Sequence, residues 1–199
     1  MMTPHHLVFN SALGKRFLPH WPLRAVLAGA LFPDIWVWLF FIWQHLILGV
    51  PQDYLWQELY FRSAWNGVFC LAHSLWLLPL CVAISWWRRN TGLAALAFFS
   101  SALFHAVCDF LVHHHDAYRN FYPFSDWRFE SPVSYWETAY YGWPFSLAES
   151  GVSILCLLYW HRLLATGNAR HWIKGLIGLD AILLLLTLLN YTQMHLHGG

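Results

Sequence analysis

Residues 105–116 read His105-Ala106-Val107-Cys108-Asp109-Phe110-Leu111-Val112-His113-His114-His115-Asp116. Four histidines and two aspartates fall inside one twelve-residue run, about three helical turns long. The first half of the run closes an apolar stretch long enough to cross a bilayer. Ionisable groups in hydrocarbon are costly, and their presence there marks a functional or pairing role. Imidazole and carboxylate together are the donor set of zinc and similar divalent metals.

Outward from this stretch, the chain is consistently apolar. It has 199 residues, 58% hydrophobic and 11% charged, and a mean hydropathy of +0.42. Soluble domains carry about 25% charged residues, so the composition predicts a membrane protein forming one domain over residues 1–199. A net charge of +1 excludes both a nucleic-acid footprint and a polybasic lipid patch. Cys70, Cys81, Cys108 and Cys156 stand apart in apolar runs and read as small buried hydrophobes. No apolar core followed by a small-residue cleavage site marks a removable signal peptide.

The pattern predicts an all-α polytopic membrane helix bundle. Five spans are expected, near 23–48, 66–87, 92–112, 145–164 and 172–194, each with about 20 mostly apolar residues. A short N-terminal helix is expected over 3–17, with Pro4 in its first turn. Residues 52–65 mix charge with aromatics, as an interfacial helix does. Residues 113–144 form a long polar-aromatic outer loop. Lys15, Arg16, Arg24, Arg88, Arg89, Arg162, Arg170 and Lys174 fall on one side of these spans; only Arg62, Arg119 and Arg128 fall on the other. The positive-inside rule then places the N-terminus in the cytoplasm and the long loop outside.

Asp34, Asp109, Glu149 and Asp180 lie within the expected spans, and no Lys or Arg lies at mid-span to pair with them. Such carboxylates need hydrogen bonds, histidines or a metal ion. His73 and His105 both sit about seven residues from the outer ends of their spans, or ~10 Å deep at 1.5 Å per residue. Asp109 is one turn above His105 on the same face. Asp34 follows Pro33, which can redirect a helix, and Glu149 enters at a similar level. Groups from four spans thus converge on the outer half of the bundle. Plainer roles exist beside this one. His45 and His161 read as helix–helix hydrogen bonders, Asp180 as a structural acid, and His113 to His115 as a wet helix end, where cations are favoured. His5 and His6 can join the site only if the first helix inserts into the bundle.

These motifs resemble the bacterial inner-membrane metal-dependent hydrolases of the LexA-regulated type and their relatives. The residues that carry the resemblance are Thr3-Pro4-His5-His6-Leu7, Gly29-Ala30-Leu31-Phe32-Pro33-Asp34, His73-Ser74 and His105 to Asp109. Longer and more specific are the loop motifs His114 to Arg119, Pro123 to Phe129 and Ser131 to Trp136. The likeness extends to about Gly142. It departs at Phe69 and Cys70, where the family more usually has His-Arg. The resemblance implies metal ligands among His6, Asp34, His73, His105 and Asp109, with His114 and Asp116 nearby. It also implies a multi-pass protein of the bacterial inner membrane.

The expected function is metal-dependent hydrolysis of a lipid-like or phosphate- or ester-containing substrate at the outer half of the membrane. A divalent metal, zinc by its ligand types, would be the cofactor. Asp116 or Glu149 would act as base or orient a ligand. Arg119 and Arg128 would bind an anionic group, unless they pair with Asp116, Asp126 or Glu130. The partners expected are membrane lipid and a small amphiphile, with a larger membrane complex as a further one. The competing reading is a non-enzymatic membrane subunit or assembly factor whose polar cluster is a hydrogen-bonded or metal-bound lock.

Overall fold

A computed structural model describes residues 1–163, 174–178, 180–182 and 184–185 of the chain. Every regular element among the described residues is helical. The order is α1 (Thr3–Phe17), α2 (Leu23–Phe41), α3 (Ala64–Ala72), α4 (Leu77–Trp87), α5 (Leu93–Phe110) and α6 (Gly142–Leu163). Between α2 and α3, residues 52–62 form a helical segment of mixed α and π turns. Between α5 and α6 the long loop holds a single 3₁₀ turn, Thr138–Tyr140.

Among the described residues, two helices are long and apolar enough to cross a membrane, Leu23–Ile47 and Leu93–Phe110. A third span results if α3 and α4, bent by 44° at their junction, are taken as one. The sequence pattern led to five. The fourth expected span is a helix, α6, of 22 residues, but it is not among those apolar enough to cross. Ser146, Glu149, Ser150 and Ser153 are all buried on it, and they make it less apolar than a lipid-facing helix. The fifth expected span falls largely outside the described residues. Large apolar side chains point outward from α2 and α4, among them Leu39, Ile42, Leu46, Leu80 and Ile84. An outward apolar belt over a polar interior suits a bilayer.

The helices are arranged around α2 and α5, the most extensively packed pair. Gly29 makes their approach possible: a Cβ there would lie 2.1 Å from the Phe98 carbonyl oxygen. Ser101 on α5 donates to the Val26 carbonyl at 2.6 Å, and Asn10 on α1 donates to the Ser101 carbonyl at 2.8 Å. These bonds tie α1, α2 and α5 together where water is absent. α2 continues as a π turn through Ile47 and stops at Gly49, whose φ of +70° glycine adopts without Cβ strain.

α1 inserts into the bundle, packed on α2, α5 and α6. Its first turn reaches the level of Asp109, and Gly14 near its last turn meets Val26 at the start of α2. The turn carrying Lys15, Arg16 and Arg24 therefore lies at the opposite end of the bundle from His5 and His6, which are fully buried. The insertion of the first helix that His5 and His6 needed in order to reach the site is thus present.

Candidate metal centre

Each donor of the site is fixed by a different piece of the chain. Asp34 follows Pro33 inside α2; the missing proline N–H removes one backbone bond from that turn. His73 sits at the break between α3 and α4, just past the end of α3. His105 and Asp109 are one turn apart on α5, on one face as the helical repeat requires.

Four atoms converge: Asp34 Oδ1, His73 Nε2, His105 Nε2 and Asp109 Oδ2. The closest approaches are His105 to Asp109 at 3.1 Å, His73 to Asp109 at 3.3 Å, His105 to Asp34 at 3.4 Å and His73 to Asp34 at 3.9 Å. Ligand atoms of all four residues lie within 4.8 Å of one another, so the group could hold a metal ion. Ligands bonded at 2.0–2.1 Å around a tetrahedral ion stand about 3.3 Å apart, and the observed separations bracket that edge length.

The surrounding hydrogen bonds show why these four atoms face one another. His73 donates its Nδ1–H to the Phe69 carbonyl at 2.9 Å, and His105 donates its Nδ1–H to the Ala30 carbonyl at 2.6 Å. A carbonyl only accepts, so both protons are placed on Nδ1. In the neutral imidazole Nε2 is then a bare lone pair. His73 Nε2 is buried and has no hydrogen-bond partner. The carboxylates are held in the same fashion. Thr3 Oγ1 donates to Asp34 Oδ2 at 2.6 Å, and His6 Nε2 donates to Asp109 Oδ1 at 2.9 Å. The Met1 amino group also lies 2.8 Å from Asp109 Oδ1. Each residue thus gives one atom to the protein and turns one acceptor inward. Acceptors facing acceptors in a dry interior call for a cation between them.

The long loop completes the outer ring. Asn120 donates its side-chain amide to the His73 carbonyl at 3.1 Å, and its own carbonyl accepts from Leu75 N–H at 3.0 Å. Irregular backbone at membrane depth survives only where protein satisfies it, and Asn120 does this at the α3–α4 break. Tyr118 stacks on the His73 ring at 3.7 Å and 11°. Ser131 and Tyr135 cap the end of α5 by bonding the Leu111, Val112 and His113 carbonyls.

Other expected site residues take different places. His6 stacks on His105 at 3.4 Å and 7° and holds Asp109, outside the four-atom set. His114 donates to the Ser131 carbonyl at 2.7 Å and stacks on Tyr140 at 3.5 Å, and the structure does not bring it to the centre. Asp116 lies 2.8 Å from His113 Nδ1 and accepts from Trp136 Nε1 at 3.1 Å. His113 Nε2 stands 3.7 Å from Asp109 Oδ1. Burial works against charge on both, yet the Asp116 and Asp109 carboxylates raise the His113 imidazole to about 9. Burial likewise opposes ionisation of Asp116, but the neighbouring His113 holds its carboxyl below the usual range.

Glu149 faces away from the centre. It accepts from His5 Nδ1 at 2.6 Å, and His5 Nε2 lies 3.2 Å from Asp180 Oδ1. Ser153 bonds the other Asp180 oxygen. This second buried cluster joins α1, α6 and the described part of the chain beyond it. Its sequence signals were the in-span acids Glu149 and Asp180 and the His5-His6 pair, since adjacent helical residues point about 100° apart. Asn120 and Tyr118 carried no such signal: they act through backbone and ring contacts made by an irregular loop.

Arg119 is committed elsewhere. It donates to Asp126 at 2.7 Å and to Asn66 at 3.0 Å, with its guanidinium over Tyr122. Of the two expected roles for Arg119, the structure places it in the salt bridge.

A cleft of about 900 Å³ reaches the centre at Asp34. Its walls are rich in aromatic side chains, drawn from α2, the 52–62 segment and the loop, with Met1 to Pro4 alongside, and neither Arg119 nor Arg128 lines it. Phe40, Leu55, Tyr60, Phe69 and Tyr118 form the apolar core beside it. Comparison with protein families, curated proteins and solved structures gives no match.

Proposed function

We propose that the chain is a metal-dependent membrane hydrolase that cleaves an ester or phosphoester bond in a lipid-like substrate. The observation that carries this reading is the set of four inward-facing acceptors, two imidazole lone pairs and two carboxylate oxygens, at the end of an aromatic cleft. A bundle of five spans, in the bacterial inner membrane with the α1–α2 turn cytoplasmic, belongs to the same proposal. It rests on the apolar pattern and the Lys/Arg distribution. Zinc is the proposed metal, from the mixed imidazole and carboxylate donors.

Bound there, a divalent ion polarises the scissile group and lowers the pKa of water. The protein's own residues do the rest. His73, His105 and Asp109 are the enclosed donors, with His6, Phe69 and Ala30 fixing their orientation. Asp34 alone of the four lines the cleft. Its Oδ1 orients the attacking water and takes the proton, while Thr3 holds Oδ2. His113, braced by Asp116, also borders the cleft. Its Nε2 is positioned to return a proton to the leaving oxygen. Glu149 has no part in these steps.

One observation favours the competing reading. The four donors can close around an ion completely, and closed four-ligand sites are structural. Asp34 separates the two. Purified protein, as prepared, after chelation and after zinc re-addition, would be assayed with an apolar-chain nitrophenyl ester and the matching phosphodiester. Hydrolysis that chelation abolishes, that zinc restores, and that Asp34→Asn lowers about 10²–10⁴-fold at unchanged metal content is the expected result. Metal retained with no hydrolysis of either probe supports the structural lock. Folded protein that holds no metal removes the hydrolase reading.

A further inference from the structure

Two stripes run side by side along the second half of α2 and its π turn. Asp34, Val37, Trp38 and Phe41 follow the i, i+3, i+4, i+7 spacing of one helical face, and all four line the cleft. Leu39, Ile42, Trp43 and Leu46 follow the same spacing, and all four are exposed. The stripes meet at Trp38 and Ile42, which are one turn apart. Trp38 belongs to the cleft wall and is nevertheless 50% exposed. It is held at this edge by its Nε1–H, which donates to Thr3 Oγ1 at 3.2 Å. Both stripes lie within Leu23–Ile47, which is long and apolar enough to cross a membrane. From Asp34 to Phe41 the cleft therefore follows this span for ~10 Å, at 1.5 Å per residue.

Aromatic rings carry the wall inward from Trp38. Trp38 meets Phe41 edge-on at 6.5 Å, Phe41 stacks on Trp56 at 5.9 Å, and Trp56 meets Tyr60 at 5.9 Å. Tyr60 lines the cleft and is only 6% exposed. On the loop side the acids are already paired, Asp116 with His113 and Glu137 with His115, so that wall holds no free charge for a ligand. What the cleft does offer is apolar surface, continuous at Trp38 with the outward belt of α2. Apolar surface exposed at the rim of a groove marks a route for a membrane or an apolar ligand. We propose that the cleft is a side entrance from the bilayer: a hydrocarbon chain of a membrane lipid passes over Trp38 and lies against Val37, Phe41 and Trp56. The chain thus reaches the cleft without crossing water, which would cost the transfer energy of every methylene it exposed. That the lipid's polar linkage then meets Asp34 rests on the hydrolase reading; the sideways entry of the chain does not.

The test uses the full chain in phosphatidylcholine nanodiscs, with and without prior chelation. A small fraction of the lipid carries a photoreactive diazirine midway along one acyl chain, and peptide mass spectrometry locates the adducts after illumination. Leu39, Ile42 and Leu46 should be labelled as the belt, and Tyr60 should be labelled with them although it is buried. Val37→Trp narrows the entrance and should cut Tyr60 labelling severalfold, while unchanged labelling of Leu46 shows an intact, inserted bundle. Trp38→Ala removes the ring at the edge and should raise Tyr60 labelling. Belt labelling without Tyr60 overturns the proposal, as does Tyr60 labelling that neither substitution alters. Stronger Tyr60 labelling by a water-soluble short-chain diazirine carboxylate than by the bilayer lipid also overturns it, because the cleft is then filled from water. Protein that binds no metal or hydrolyses no ester should give the same labelling, so the two readings fail separately.

Discussion

Two buried clusters in this bundle use the same ingredients and solve the charge problem differently. In the first, two histidines each commit Nδ1–H to a backbone carbonyl and present Nε2 to Asp34 and Asp109. In the second, His5 gives both ring nitrogens to carboxylates, Nδ1 to Glu149 and Nε2 to Asp180. A doubly protonated His5 bridges its two acids, with the Met2 N–H also on Glu149 and Ser153 on Asp180. The first cluster turns two imidazole nitrogens and two carboxylate oxygens on one another, an arrangement that could hold a cation. The difference lies in which nitrogen the backbone has already claimed, not in composition. Residue type alone marks both as sites; the second bond on each ring separates a ligand from a bridge.

The comparison can be broken in several ways. The largest effect is expected from His105→Ala or His73→Ala. Either should take metal content from about one ion per chain to none, read by elemental analysis on folded, purified protein. Equal metal in wild type and variant would erase the distinction between the clusters. His5→Ala should behave oppositely, keeping metal but destabilising the fold by about 3–5 kcal/mol, because two buried carboxylates lose their partner. Thermal unfolding in detergent reads this, and a loss of metal with no loss of stability would show that His5 belongs to the centre.

A smaller change is expected from Asn120→Ala. It deletes the side-chain bond to the His73 carbonyl but leaves the backbone bond to Leu75. About 1–3 kcal/mol of stability should go, with a metal affinity lowered about tenfold because His73 is less well oriented. Gly29→Ala sharpens the comparison from the packing side. A Cβ 2.1 Å from the Phe98 carbonyl forces α2 and α5 apart, at a cost of about 1–3 kcal/mol. It should weaken metal binding, because Asp34 and the His105–Asp109 pair ride on the two separated helices.

The least effect is expected at His115. Its hydrogen bond to Glu137, the leading influence, raises the His115 pKa. A raised folded-state value means the contact favours the folded loop at low pH and is lost as pH rises through that value. A proton NMR titration should place His115 above the ordinary histidine range of about 6.5, and Glu137→Gln should bring it back towards that range.

How far the sequence reaches is instructive at particular residues. His105 and Asp109 share a helical face by periodicity, and hydropathy places them inside a span; the structure puts both in the centre. His73 came from its depth and Asp34 from following Pro33, and both arrive because each sits at a helix irregularity, Pro33 and the α3–α4 break. The short first helix is visible in Thr3-Pro4, but its insertion beside α5 is not, since nothing in an apolar-polar pattern says which neighbour covers a fifteen-residue helix. Among the described residues the span count is met only in part, for a related reason. Hydropathy cannot see that α6 buries a polar stripe against α1, nor that the second span is broken by a histidine the loop then braces. Arg119 and Arg128 look like anion binders in sequence because charge is local and its direction is not. Only the fold shows Arg119 spent on Asp126 and Asn66.

The most direct test is X-ray absorption at the zinc edge on the full chain loaded with one equivalent of zinc. Two imidazole nitrogens and one or two carboxylate oxygens at about 2.0–2.2 Å are predicted, with the imidazole signal halved in His105→Gln. A shell of water oxygens without imidazole scattering, or zinc that washes off the folded chain, would contradict the account.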